Sequence, residues 1–290
     1  MPDLWKTTSL LAVRALALSL RKLQRDEVEG IAYHFRESGG SAAIDVMELF
    51  AKEFVRPSRG DIYNAKTNGE QRLVEATGDL DFRTIFDVGA NVGGWTKLAH
   101  DHHSHAQIHS FEIVPSTFAT LTMELQGLDR IVLNPLGMLD EPGQVDVYVG
   151  GGSAIASTLQ FSRGDARSVV SCSVTSGDKY MDEHAIDAID FLKVDVEGVE
   201  GAVLRGFHGA FARRAVRLVQ FEYNRGAIES RFLLRDFYNF FVAHGYAVGK
   251  LTGQGVLFRE YEYAHEDFSG PNYVACRSDD TPLIRRIAMP

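Results

Sequence analysis

Carboxylates at strand ends and a pair of glycines carry the chemistry of this sequence. Asp87-Val88-Gly89-Ala90-Asn91-Val92-Gly93 follows the run Thr84-Ile85-Phe86 and precedes Trp95-Thr96-Lys97-Leu98-Ala99. A strand, a glycine turn and a helix start form a cradle for a nucleotide-like cofactor. The spacing Gly89-x-x-x-Gly93 is not the G-x-G-x-x-G that fits a pyrophosphate, and Asp87 at the strand end would repel one. An amine and a sulfonium would be attracted there, and S-adenosylmethionine carries both. Gly89 and Gly93 leave room for its amino-acid part to approach the backbone, while Asn91 either hydrogen-bonds or favours the turn. Glu112 lies 19 residues beyond Gly93, where a carboxylate grips a ribose diol. Ile113 beside it is grouped with it as a cofactor contact.

A second set of residues suggests a reaction. Asp195 ends the strand predicted over 189–195, and Glu222 ends the next one, with Asn224 just beyond. In open α/β sheets ligands bind outside the carboxyl ends of the strands, so these acids should face the same crevice as Asp87 and Glu112. Asp195 or Glu222 could act as general base on an acceptor hydroxyl. Alternatively Asp195, Glu222 and Asn224 could hold Mg²⁺, which would orient the acceptor and lower its pKa. Capping of the following helices is the structural alternative, favoured for Glu197 and Glu200. Lys193 shares a strand face with Asp195. It either pairs with these acids or, if burial lowers its pKa, serves as a base; pairing is the favoured role.

These residues need a parallel sheet to position them, and the chain supplies the alternation for one. Strands are predicted over 85–88, 108–112, 131–134, 189–195 and 216–222, with helices over 95–101, 116–126, 176–184, 199–213 and 231–244. Strands over 144–149 and 168–174 flank a Gly/Ser-rich stretch, 150–159, that could be a lid. The last strands, near 246–248, 256–258 and 272–276, are joined by turns, so at least one pair should be antiparallel. Residues 1–80 are expected to form an N-terminal helical cap and 81–290 the main domain. The run Leu10 to Leu20 is interrupted by Arg14 and followed by Arg21, Lys22 and Arg25, a pattern of an amphipathic helix rather than an export signal.

The motifs Asp87 to Gly93, Phe111-Glu112 and Phe191-Leu192-Lys193-Val194-Asp195-Val196-Glu197-Gly198-Val199-Glu200 together resemble the FkbM-type methyltransferases over about residues 68–276. The resemblance implies a Rossmann-like class I methyltransferase fold: a mostly parallel α/β sheet with an antiparallel C-terminal strand and helices on both faces. It implies S-adenosylmethionine-dependent O-methylation of a sugar, polyketide or related hydroxyl. Two departures are Glu112-Ile113-Val114-Pro115, where proline commonly follows the acid directly, and Glu124, where asparagine is usual. Neither removes a cofactor-binding carboxylate.

Composition narrows the partners. The 290 residues are 45% hydrophobic and carry a net charge of −9. An acidic chain is a poor phosphate binder, which argues against nucleic acid. No run is apolar enough for stable membrane insertion. Cys172 and Cys276 have neither metal-site nor disulfide-framework spacing, which fits a cytoplasmic setting. The histidines of 100–105 read as a solvated loop rather than a metal tract, and Tyr223, Asn224 and Arg225 as acceptor contacts. The N-terminal helices could mediate a homodimer or pack on their own domain. Two rivals stand against a methyltransferase: a scaffold of the same fold without activity, and an NAD(P)-dependent oxidoreductase.

Overall fold

The computed structural model describes residues 33, 64–149, 156–157, 168–268 and 272–290. The chain divides into two compact units, Met1–Val55 and Arg56–Pro290. The expected boundary near residue 80 falls within the second unit. The Leu10–Leu20 helix and most of the 150–159 loop lie outside the described residues.

In chain order the elements begin with α1 (Glu70–Thr77), β1 (Thr84–Val88), α2 (Gly94–His102), β2 (Gln107–Phe111), α3 (Pro115–Glu124) and β3 (Ile131–Asn134). Next come β4 (Gly137–Met138), β5 (Gly143–Val149), β6 (Ala156–Ser157), β7 (Ser168–Thr175), α4 (Gly177–Glu183), β8 (Ile189–Val194), α5 (Glu200–Gly206) and α6 (His208–Ala212). The chain closes with β9 (Val216–Glu222), α7 (Gly226–Ser230), α8 (Leu234–Ala243), β10 (Tyr246–Thr252), β11 (Gly255–Phe258), β12 (Asn272–Arg277) and α9 (Thr281–Ile287).

The main sheet runs β11-β10-β12-β9-β8-β1-β2-β3. Its β9-β8-β1-β2-β3 half is parallel. Strand β12 is antiparallel to both β9 and β10, and β11 is antiparallel to β10. This is the Rossmann-like sheet with antiparallel C-terminal strands that the motifs imply. A smaller sheet, β4-β7-β5-β6, holds the two strands expected around the Gly/Ser-rich stretch.

Alternating residues of the parallel strands build two cores. Phe86, Val88, Leu192, Val194, Val219 and Phe221 point into one, covered by α4, α5, α6, α7 and α8. Ile85, Ile108, Phe191 and Leu218 point into the other, covered by α1, α2 and α9 through Leu73, Val74, Trp95, Ala99, Leu283 and Ile287. Full burial of each such side chain stabilises the fold by about 1.5–3 kcal/mol. Several helix ends are set by sequence: the Ser176 hydroxyl accepts from Lys179 N, Pro115 opens α3, and Asp280 caps α9 with Pro282 in its first turn.

Two helices depart from expectation. The helix predicted over 199–213 breaks at Phe207 into α5 and α6. Gly206 weakens the helix there, and a Cβ on it would sit 2.1 Å from Leu139 O. The helix predicted from 231 starts instead at Leu234, because Arg231 takes a left-handed conformation that ends α7.

Candidate active site

The glycine turn is fastened to its neighbours on both sides. Gly89 N and Ala90 N both donate to Phe111 O, at 3.0 and 2.9 Å. Gly89 has φ +85, and a Cβ there would lie 1.8 Å from Asp195 O, so only glycine lets the two loops meet. Gly93 ends the turn at φ +90, where a Cβ would meet Leu121 Cδ1 at 2.8 Å. Glu112 is pinned beside this turn. Its Oε2 accepts from Asn91 N at 2.9 Å and its Oε1 from Val114 N at 2.8 Å. Burial raises its pKa, and those two backbone N–H groups hold the rise in check.

A pocket of about 370 Å³ opens over these strand ends. Gly89, Asn91, Glu112, Ile113, Lys193 and Asp195 line it, whereas Glu222, expected to face the same crevice, does not. Gly93 is not among the lining residues; its place is against α3. The pocket also reaches Glu70, Trp95, Val147 and Glu197. Its lining carries four carboxylates (Glu70, Glu112, Asp195, Glu197) against one cation, Lys193.

Asp87 is placed differently from the sequence expectation. Its side chain is fully buried behind the turn. It accepts from Thr96 Oγ1 at 2.7 Å and from Lys193 Nζ at 3.2 Å. It therefore lies beneath the turn and is not among the residues that line the pocket. Ser110, Asp87, Lys193 and Gln220 lie directly beside one another on β2, β1, β8 and β9. A polar row thus crosses the floor of the pocket. Lys193 also reaches Asp195 at 3.3 Å. Burial works to strip its proton, but Asp87, Asp195 and Glu70 outweigh burial and hold its pKa above the usual lysine range. Lys193 thus sits as a paired cation between Asp87 and Asp195.

Asp195 follows β8 directly and is held by its N–H to Val88 O at 3.0 Å. Oxygens of Asp195, Glu197 and Glu222 lie within 4.8 Å of one another. Burial raises the Glu222 pKa well above the usual range, and Asp195, Glu197 and Glu200 push it further. Burial and then Asp195 raise Glu197 to about 7. Glu200 also reaches about 7, chiefly through burial, although its Oε1 accepts from Val196 N and Gly198 N. Glu200 is thus the local capping acid expected, whereas Glu197 faces the pocket.

Asn224 does not present a ligand atom to this cluster. Its Oδ1 accepts from Gly226 N at 2.7 Å, which fixes the amide so that Nδ2 donates to Glu222 Oε2 at 2.6 Å. Tyr223 is 1% exposed and its hydroxyl bonds Glu266, so it is core rather than an acceptor contact. In the histidine tract, His103 is buried and stacked on Phe82 at 5.1 Å, and burial lowers its pKa to about 4. His100 contacts Asp129 and Arg130. Glu70 had no signal in the sequence beyond its place at the start of a short helix.

Two polar atoms of the pocket's lining residues lack partners among the described residues. Asn91 Oδ1 and Trp95 Nε1 are buried with no hydrogen-bond partner among the described residues, and both residues line it. Buried polar atoms are costly unless something satisfies them.

A family model described as the methyltransferase FkbM domain matches residues 87–248. Among solved structures the chain is similar to a precorrin-6y C5,15-methyltransferase from Geobacter metallireducens GS-15, at 11% identity and TM-score 0.38 over 71% of this chain and 85% of that one. It is also similar to a putative rRNA methylase from Clostridium thermocellum, at 10% identity and TM-score 0.43 over 72% and 94%. A third is a fibrillarin pre-rRNA processing protein from Methanococcus jannaschii, at 10% identity and TM-score 0.42 over 74% and 77%. No curated protein matches the chain in sequence. No helix among the described residues is long and apolar enough to cross a membrane.

Proposed function

This chain belongs to the FkbM methyltransferase family, and from that premise we propose that it methylates a hydroxyl of a small molecule using S-adenosylmethionine. The observation that carries the proposal is the position of Asp195, beside Glu222 and in the same pocket as Glu112. When bound, S-adenosylmethionine supplies a methyl group already activated on a sulfonium. Glu112 would hold the ribose diol, Ile113 would wall the same side, and the Gly89–Asn91 backbone would lie along the amino-acid part. Asp195 takes the proton of the acceptor hydroxyl. Glu222, whose pKa is raised by burial and by its acidic neighbours, hydrogen-bonds Asp195 and keeps its charge in place. Lys193 holds Asp195 in position from the other side. Alignment of acceptor and donor in such a pocket can contribute up to ~7–11 kcal/mol in favourable cases.

A net charge of −9 and a carboxylate-lined pocket support a small acceptor over a polyanion. S-adenosylhomocysteine should raise the melting temperature and NAD should not. Asp195→Asn should abolish turnover while leaving S-adenosylhomocysteine affinity within about threefold, as expected of a group that acts on the acceptor alone. Full turnover by that variant would remove Asp195 from the chemistry. Metal assistance is the second reading, favoured by the three oxygens of Asp195, Glu197 and Glu222 within 4.8 Å of one another. It requires turnover to stop on chelation and return with Mg²⁺.

A further inference from the structure

Glu70 stands at the start of α1 and lines the pocket from the side of β9 and β12. Gly69 before it has φ +103, and a Cβ there would strike Thr252 O at 2.2 Å, so the chain is pressed against the end of β10. Asn68 braces the acid locally: its Oδ1 accepts from Glu70 N at 2.9 Å and its Nδ2 donates to Glu70 Oε1. Asn272 Nδ2 donates to the same oxygen at 3.0 Å, and Gln220 Nε2 donates to Oε2 at 3.2 Å. Asn68, Gln220 and Asn272 are all buried.

Three buried amides thus hold one carboxylate at a pocket wall. They satisfy its lone pairs in part but bring no positive charge. The one lining cation, Lys193, is shared among Asp87, Asp195 and, at longer range, Glu70. A carboxylate so held, beside a cation already divided among acids, is a site for a cationic group. Trp95 lines the same pocket and is 8% exposed, and its Nε1–H is buried with no hydrogen-bond partner among the described residues. Lys193 Nζ lies 5.9 Å from its ring, which places the indole beside the same charges. An acceptor for a cation and a free donor in one pocket match the two charges of a zwitterion.

We propose that Glu70 binds the α-ammonium group of the cofactor's amino-acid end, with Trp95 Nε1 donating to its α-carboxylate. Asn68, Gln220 and Asn272 position Glu70. The proposal rests on the cofactor reading above, and it gives Glu70 the cation-attracting role that Asp87, being buried, does not fill.

Calorimetric titration of the full chain with two probes tests it. S-adenosylhomocysteine carries the amino-acid end, and 5′-methylthioadenosine lacks it. Glu70→Gln should weaken S-adenosylhomocysteine about ten- to a hundredfold and leave 5′-methylthioadenosine within about twofold, since nothing there touches Glu70. Trp95→Phe, which removes the N–H and keeps the ring, should weaken S-adenosylhomocysteine about three- to tenfold with the same selectivity. Retained 5′-methylthioadenosine binding shows that each variant is folded. If Glu70→Gln binds neither probe, Trp95→Phe and Asn272→Ala decide by the same selectivity. Equal losses for both probes, or no loss for either, would overturn the assignment. A wild-type protein that binds neither probe fails the cofactor reading itself, whereas one that binds both without discrimination by the variants fails only the assignment of Glu70 and Trp95.

Discussion

Replacing Lys193 by methionine isolates the electrostatic support beneath the pocket. Methionine keeps much of the stem volume and removes the charge. Asp87, with 0% of its surface exposed, then loses the ammonium 3.2 Å away and keeps only the Thr96 hydroxyl and its backbone surroundings. At an effective dielectric of about 20, unit charges at that separation attract by about 5 kcal/mol. Most of that gain offsets the cost of holding both groups out of water, so the intact pair adds little to stability. Breaking it from one side costs about 3–5 kcal/mol, because a buried carboxylate is left uncompensated. Asp195 is partly exposed and water replaces its lost partner, so it adds little to this cost. Urea denaturation at pH 7 should show Lys193→Met destabilised by that amount. The double variant Asp87→Asn/Lys193→Met should recover most of the loss, since an amide oxygen still accepts from Thr96. A Lys193→Met protein as stable as wild type, or a double variant that loses the sum of the two single losses, would refute the claim that the two residues act as one buried pair.

Other outcomes follow from the same geometry. Glu200 and Glu197 are raised from 4.5 to about 7 in the folded chain. Between those pH values the folded state keeps protons that the unfolded state releases, so stability falls as pH rises through the window. For the buried Glu200 the fall reaches about 3 kcal/mol above pH 7. Denaturation midpoints at pH 5 and pH 8 should therefore converge in Glu200→Gln; an unchanged pH slope would show that Glu200 does not titrate there. Glu112→Gln keeps an acceptor for one backbone N–H but removes bidentate acceptance, and should weaken 5′-methylthioadenosine and S-adenosylhomocysteine alike, about tenfold or more. Selective loss of only one of them would move Glu112 away from the ribose. Gly89→Ala combines a left-handed φ with a 1.8 Å clash and should lower the melting temperature by several degrees, as expected for a cost of about 1–3 kcal/mol. A calorimetric scan showing no change would mean the Asp195 loop gives way freely.

The parallel half of the sheet was legible because each strand carries its own apolar run and each turn its own glycine or acid. Glu112, Asn91 and Asp195 line one pocket because strand ends in such a sheet share one rim. Asp87 lies away from the pocket for a specific reason. Spacing locates a residue along a strand but does not reveal that Lys193, 106 positions later, lies beside it and claims its carboxylate. Glu70 was hidden in the same way: its meaning comes from Gln220 and Asn272, which only the folded sheet brings to it. Asn224 and Tyr223 follow Glu222 and look like site residues, yet Gly226 N and Glu266 take their polar atoms inward. Helix α9 carries a readable signal, the Asp280-Thr281-Pro282 start.

The polar row beneath the pocket has a consequence for how the strands find their places. A slip of one residue between β1 and β8 turns every side chain to the wrong core, and hydrophobic patterning alone forbids it. A slip of two residues keeps each side chain on its own face, and patterning is nearly blind to it. With Asp87 beside Lys193, such a slip would set Asp87 against either Phe191 or Asp195: a buried acid against an aromatic ring, or two acids together. Either arrangement costs several kcal/mol. The charges that floor the pocket therefore also act as an alignment key, rejecting the mispairing that apolar alternation tolerates.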